Sequence, residues 1–160
     1  MLLAPQATGG SPVAFLLAKT TLGRSSLVVA GDRVEVERLP SGAMVVTRIN
    51  ERHSQLSRPG FHGYEHVIAA NVDQLVIVQS AAQPSFKRRL VERYLLIARH
   101  GGMSSVLVVN KCDLVDGHTV HSWVEPLETT GTQVLLTSAV TLAGLDALRL
   151  CRPEAVRAST

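Results

Sequence analysis

Cysteine is almost missing from this chain. Cys112 and Cys151 are the only two in 160 residues. They are too few and too isolated for a disulfide framework or a cysteine-rich zinc site, and two free thiols are expected. No apolar run reaches the roughly 18 residues that a membrane-spanning helix requires. The opening stretch MLLAPQATGG carries no positive residue ahead of its short apolar patch, so a secretory leader is not read there. These absences point to a cytoplasmic protein with no membrane partner.

Lysine is scarce too, with 3 against 13 arginines inside a formal charge of only +3. The three lysines follow Ala18, Phe86 and Asn110, so none follows a glycine and the phosphate-cradling pattern G-x-x-x-x-G-K-[ST] is absent. Lys19-Thr20 is the nearest imitation, with Val13 and Ala18 where glycines belong, and it reads as strand. No G-x-G-x-x-G follows a strand, which argues against a dinucleotide-binding oxidoreductase. What is present is arginine, suited to bidentate phosphate contacts, and 46% hydrophobic residues. That content fills one ordinary core or two small ones and excludes a disordered tail or a fibre. Nucleic acid is permitted as a partner by this charge balance, not required by it.

Residues 26 to 49 read as β-structure: Ser26-Leu27-Val28-Val29, then Arg33 to Glu37 in apolar/polar alternation, then Ala43 to Ile49. Gly31-Asp32 and Pro40-Ser41-Gly42 separate them as turns. Short strands at this spacing fit a small antiparallel β-barrel of the OB-fold kind. Residues 1 to 25 add only one strand candidate, Val13 to Ala18, so an incomplete barrel is one outcome. Residues 51 to 70 show neither period and carry Arg52, Arg58, Pro59, Gly60 and Gly63, the composition of a linker. Beyond it the pattern alternates: Gln74 to Gln79 apolar, Phe86 to His100 helical, Ser105 to Val109 and Val134 to Leu136 apolar. Such alternation predicts a partial α/β domain with a parallel sheet over 71 to 149, followed by an unstructured tail over 150 to 160. In the helix, Leu90, Val91, Tyr94, Leu95, Ile97 and Ala98 share one face and Arg88, Arg89, Glu92, Arg93 and Arg99 the other.

The string that carries chemistry is Asn110-Lys111-Cys112-Asp113, directly after the apolar strand Val106 to Val109, where open parallel sheets place ligands. Guanine presents two donors side by side, the ring N1–H and the exocyclic amine, and the Asp113 carboxylate can accept both. The Asn110 amide can donate and accept, holding the loop while touching the base, and the Lys111 stem can lie along the base's apolar face. Adenine would leave an acceptor of Asp113 unpaired, at a cost of about 1–3 kcal/mol. Thr137-Ser138-Ala139 follows the next apolar strand, where the Ser138 and Ala139 amides could donate to the guanine carbonyl. Each motif alone is weak. Both at consecutive strand ends, in this order, argue for a guanine nucleotide. The pairs His118/His121 and His62/His66 are spaced for one helical face, but no third ligand is nearby and no metal site is expected.

In these motifs the chain resembles the ribosome small subunit-dependent GTPase A family over about residues 28 to 149. The further carriers are Gly31-Asp32-Arg33-Val34, Arg52 to Leu56 with Arg58-Pro59, Ala69 to Gln74, Glu92-Arg93-Tyr94-Leu95, Leu114 and Gly144 to Leu148. The resemblance implies an OB-fold, a circularly permuted GTPase domain and a C-terminal zinc module. It also implies GTP or GDP as ligand, Mg²⁺ and Zn²⁺ as family cofactors, and the small ribosomal subunit and its rRNA as partners during late subunit maturation.

In that family the phosphate loop follows the segment matching Gly144 to Arg149, and this sequence shows none, nor the family's metal ligands. The implied activity is GTP hydrolysis, with this chain expected to be inactive alone. The alternatives are a non-catalytic rRNA-binding module and a truncated gene product without function. RNA contact is assigned to Arg52, Arg58, Arg88 and Arg89. No aromatic lies between residues 26 and 50, so that contact would rest on phosphates and shape rather than on stacking. A sheet that lacks the phosphate-loop strand is expected to expose apolar surface on Val76, Ile77, Val108 and Leu135 or their neighbours.

Overall fold

The computed structural model describes residues 2–3, 14–17, 28–60 and 65–151, the first two segments as backbone only. Two compact units divide between Val72 and Asp73.

The first unit contains a four-stranded sheet in the order β1-β2-β4-β3, formed by β1 (Leu2–Leu3), β2 (Ala14–Leu17), β3 (Val34–Arg38) and β4 (Met44–Ile49). β3 and β4 pair antiparallel around the Pro40-Ser41-Gly42 turn, where Gly42 takes φ +83°. β2 pairs with β4 in parallel, so the sheet is mixed rather than wholly antiparallel. The long connection from β2 to β4 through β3 permits that direction, which a tight turn would not. Val28 and Val29, read as strand from their apolar run, lie outside any strand, and only Ala30 makes an isolated bridge, to Ala69.

Residues 51–70, expected to be irregular, include an antiparallel hairpin of β5 (Gln55–Pro59) and β6 (Glu65–Ala70). A register shift between Leu56 and Ser57 interrupts the alternation that would have announced it. The Lys19-Thr20 reading, His62, and residues 152 to 160 of the expected tail lie outside the described residues.

The second unit is the alternating α/β pattern. β7 (Gln74–Ser80), β8 (Ser104–Asn110) and β9 (Gln133–Leu136) form a parallel sheet in that order. α1 (Arg88–His100) crosses from β7 to β8, α2 (Gly117–Glu128) from β8 to β9, and α3 (Leu145–Leu150) follows β9. Alternate residues of β7 and β8 explain the core: Ile77, Leu107 and Val109 pack with Val91 of α1 and with Val120, Val124 and Leu127 of α2. Both helices therefore cover one face of the sheet. Asp116 caps α2 by accepting from the Thr119 amide at 3.2 Å. Phe86 and Trp123 stack with ring centroids 5.5 Å apart, closing the core where α1 begins.

The expected uncovered surface is found in part. Val76 and Val78 are 45% and 61% exposed on β7, but Ile77 and Val108 are buried. Ile77 faces the helices, and Val108 belongs to the central strand, paired on both sides. Tyr94, placed on the apolar helix face, is 40% exposed.

Candidate functional site

Because β7, β8 and β9 are parallel, the loops after all three emerge at one end of the sheet, with Ser80 opposite Asn110 and Val109 opposite Leu136. This brings Asn110 to Asp113 beside Thr137 to Ala139, separated by about 25 residues in sequence. Backbone bonds fix the approach: the Thr137 amide donates to Val109 O at 2.8 Å, the Cys112 amide to Thr137 O at 3.1 Å, and the Ala81 amide to Asn110 O at 2.8 Å.

Asn110 is held by its neighbours' donors. Its Oδ1 accepts from the Ala139 amide at 3.2 Å and from the Thr137 hydroxyl at 3.4 Å. No other hydrogen bond involves its Nδ2 among the described residues. Lys111 sits in the left-handed region at φ 62°, and its ammonium donates to the Gln83 carbonyl in the loop after β7. Asp113 lies in a 3-10 turn over Cys112–Leu114, is exposed, and has no hydrogen bond or ion pair among the described residues. Its carboxylate is therefore available to an external pair of donors.

The Ser138 and Ala139 amides, read from the sequence as open donors, are engaged in this ligand-free structure. Ser138 N–H donates to Ala143 O at 3.0 Å and Ala139 N–H to Asn110. Val140 N–H is the amide of residues 137 to 141 with no intrachain acceptor among the described residues, a donor the motif reading missed. Ser138 is buried, and its Oγ accepts from the Thr141 amide at 3.1 Å. Between Asn110 and Asp113, Cys112 is half-buried and donates its thiol to Val109 O. Burial pushes that thiol up from its ordinary pKa, and the Asp113 carboxylate adds to the rise against a hydrogen bond from the Thr137 backbone. A raised thiol is a poor nucleophile.

The arginines assigned to RNA are distributed differently from one another. Arg52 is bound to Asp32 through Nε and Nη2. Arg88 pairs with Glu92 at 2.8 Å on the exposed surface of α1. Arg58 and Arg89 are exposed and carry no ion pair among the described residues. His118 and His121 are exposed on α2, and no group of three or more metal-ligating side chains occurs among the described residues.

The parallel sheet thus carries the N-K-x-D turn and the S-A turn at adjacent strand ends. The family model described as RsgA GTPase matches residues 49–154, more than half of the chain, and the chain belongs to that family. The small ribosomal subunit biogenesis GTPase RsgA of Gemmatimonas aurantiaca is 36% identical over 126 residues, covering 76% of this chain and 41% of that protein. Its counterpart in Chlorobaculum parvum is 36% identical over 135 residues, covering 78% and 43%. Among solved structures, YjeQ from Thermotoga maritima superposes with a TM-score of 0.64 at 26% identity, covering 88% of this chain and 48% of that one. YloQ, described as a circularly permuted GTPase, gives a TM-score of 0.61 at 26% identity, with 86% and 46% covered. The chain thus spans less than half the length of these relatives. Antiparallel strands followed by a parallel sheet with helices are common to it and the solved structures.

Proposed function

We propose that this chain is the guanine-recognising part of a cytoplasmic GTPase acting in small-subunit maturation, with residues 1 to 50 as an OB-like barrel and 71 to 149 as the partial GTPase domain. The observation that supports it best is the pairing of an oriented Asn110 amide with an unengaged Asp113 carboxylate at the end of the parallel sheet. Asp113 would accept from guanine N1–H and the 2-amine. Lys111 would flank the ring. The carbonyl would meet the Ala139–Val140 backbone, with buried Ser138 holding that turn. The 160 residues contain no glycine-lysine phosphate loop, and phosphoryl transfer depends on that loop with its lysine and magnesium. Alone, the chain is expected to read guanine without hydrolysing GTP.

Single-turnover assays with labelled GTP, with and without purified small subunits, test the inactivity. A subunit-stimulated rate that survives repurification and vanishes in Asp113→Ala would overturn it. Titration with guanosine and adenosine, followed by amide shifts, tests the recognition: equal response to both would remove it.

A second reading, contact with rRNA of the small subunit, draws on Arg58 and Arg89, both exposed and without ion pairs among the described residues. Arg88 and Arg52 would join it only by leaving, or sharing, their carboxylate partners.

A further inference from the structure

The formal charge of this chain is concentrated in one helix. The 13 residues of α1 hold Arg88, Arg89, Arg93 and Arg99 against Glu92, a net +3, and the full sequence also sums to +3. Everything outside α1 is therefore neutral in sum. α2 covers the same face of the sheet without a lysine or arginine, and it exposes Glu125 and Glu128.

Part of the charge on α1 has a structural explanation. Arg99 and His100 stand in the last turn, where cations complement the helix dipole. Arg88 is engaged by Glu92 at 2.8 Å. Lys87, Arg89 and Arg93 are different. Lys87 occupies the N-cap position without a side-chain capping bond, and no acid lies in the first turn, so Lys87 and Arg89 oppose the positive end of the dipole. Arg89 and Arg93 are four residues apart on one face, where like charges repel. All three are exposed and make no ion pair or side-chain hydrogen bond among the described residues. Within the fold they only weaken the helix.

At about 100° per residue, Arg89, Arg93, Leu96 and His100 fall within about 60° of arc, opposite the buried Val91 and Ala98. This is the outermost line of α1, with Arg89 and Arg93 about 6 Å apart along the axis. Leu96, 67% exposed, is its one apolar member, and no aromatic interrupts it. Such a line offers charge and hydrogen-bond donors, but no stacking platform for a base and no aromatic anchor for a protein pocket. It fits the phosphates of double-helical RNA, whose bases are stacked inside and whose major-groove edges side chains do not reach.

We propose that Lys87, Arg89 and Arg93 form a binding surface for the phosphate backbone of double-helical RNA, one that responds to charge and shape and not to base sequence. This rests on the rRNA reading above, and it shifts the contact on α1 from Arg88 to Lys87 and Arg93. The acids of α2 repel the same backbone and confine the contact to α1.

The test titrates a blunt-ended, fluorescently labelled RNA duplex of mixed sequence with the full 160-residue chain across a salt series, read by anisotropy. Native binding should weaken steeply between about 50 and 200 mM salt. Lys87→Gln, Arg89→Gln and Arg93→Gln combined should lower affinity about ten-fold or more at about 50 mM salt and reduce the logarithmic salt slope by about two to three. Glu92→Gln releases Arg88 and removes the one acid of α1, so it should tighten binding about three-fold, the share of one further phosphate contact. The thermal midpoint of the triple variant should hold or rise, because the three cations oppose the dipole. A loss of affinity that only follows a lowered midpoint assigns the three to folding and overturns the proposal.

Binding of the duplex and of small-subunit rRNA that is unchanged in the triple variant also overturns it, and leaves the rRNA reading standing on Arg58. If the native chain binds neither RNA, both fall. Tighter binding to a poly(U) strand of equal length rejects the duplex as ligand. Displacement of the labelled duplex by polyglutamate as readily as by unlabelled duplex, at matched charge, assigns the surface to an acidic protein and rejects RNA.

Discussion

Arg52 grips Asp32 across 20 residues of chain, Nε lying 2.7 Å from Oδ1 and Nη2 2.9 Å from Oδ2. The Asp32 side chain is fully buried and that of Arg52 is 21% exposed. Burial alone would raise the Asp32 pKa. The Arg52 hydrogen bonds, the Val29 amide and the guanidinium charge together outweigh it and hold the carboxyl below its ordinary value. A depressed carboxylate stabilises the fold above its unfolded pKa, and that contribution fades as pH falls through the folded one. The stability gap between the native chain and Asp32→Asn should therefore be constant above about pH 5 and shrink below about pH 4. Urea unfolding at a series of pH values measures it, and a gap that widens on acidification would refute the pairing.

The same geometry separates structure from RNA contact at Arg52. Arg52→Lys keeps the charge but loses the two-nitrogen fork. It should cost about 1–3 kcal/mol of stability, the range for a charge-assisted bond left unmade. An undisturbed unfolding midpoint would return Arg52 to the RNA surface.

Gly31, Asp32, Arg52, Ser54 and Asn71 show what the sequence could and could not reveal. Each lay in a string that marked the family resemblance, yet their common location was illegible, because strands distant in sequence create it. Asn71 Nδ2 donates to Gly31 O, His53 N–H donates to Asn71 Oδ1, and Gly31 at φ +89° lies against the Ala70 carbonyl. The second unit was far more legible, since β7, α1 and β8 each sit within a residue or two of their apolar runs. Local periodicity announces such elements. α2 went unread because Pro126 lies within it and its apolar stripe is short. The hairpin β5–β6 was hidden by its register shift. Asn110 and Asp113 were readable as a motif, but the Ala139 amide's engagement required the folded loop.

Salt should expose how far RNA binding rests on Arg58 and Arg89. Phosphate contacts release counterions, so affinity for small-subunit rRNA is expected to fall steeply between about 50 and 200 mM salt. The double variant Arg58→Ala, Arg89→Ala should flatten that slope by about two contacts. Filter binding across the salt series measures it, and an unaltered slope would assign the contact elsewhere.

β7 pairs only with β8 among the described residues, and it exposes Val76 and Val78. A groove of about 260 Å³ runs along it between Leu75, Ile77, Leu90 and Tyr94. An edge with apolar side chains invites pairing with another chain, and lysine at such a position discourages it. The isolated chain should associate with rising concentration, and Val78→Lys should shift it toward monomer without lowering the thermal midpoint by more than a few degrees. Sedimentation velocity over a hundred-fold concentration range tests this. Identical profiles for the two proteins would clear the edge of that role.

Asn110, Asp113 and the Ala139–Val140 backbone are the proposed base contacts, while the sequence contains no G-x-x-x-x-G-K-[ST] string to receive phosphates. Guanosine, GDP and GTP should then bind alike, near millimolar, about 4 kcal/mol. Asp113 is unengaged among the described residues, so replacing it by asparagine disturbs no internal bond. Asp113→Asn exchanges one acceptor for a donor amine, which suits the 2-carbonyl of xanthine and opposes the 2-amine of guanine. Preference should move from guanosine to xanthosine by about ten-fold or more, since a buried mismatch of this kind costs about 1–3 kcal/mol. Amide-shift titrations with the four ligands separate the two parts. Micromolar GTP beside millimolar guanosine would reveal a phosphate site in the chain, and an unchanged guanosine preference in Asp113→Asn would remove the carboxylate from base recognition.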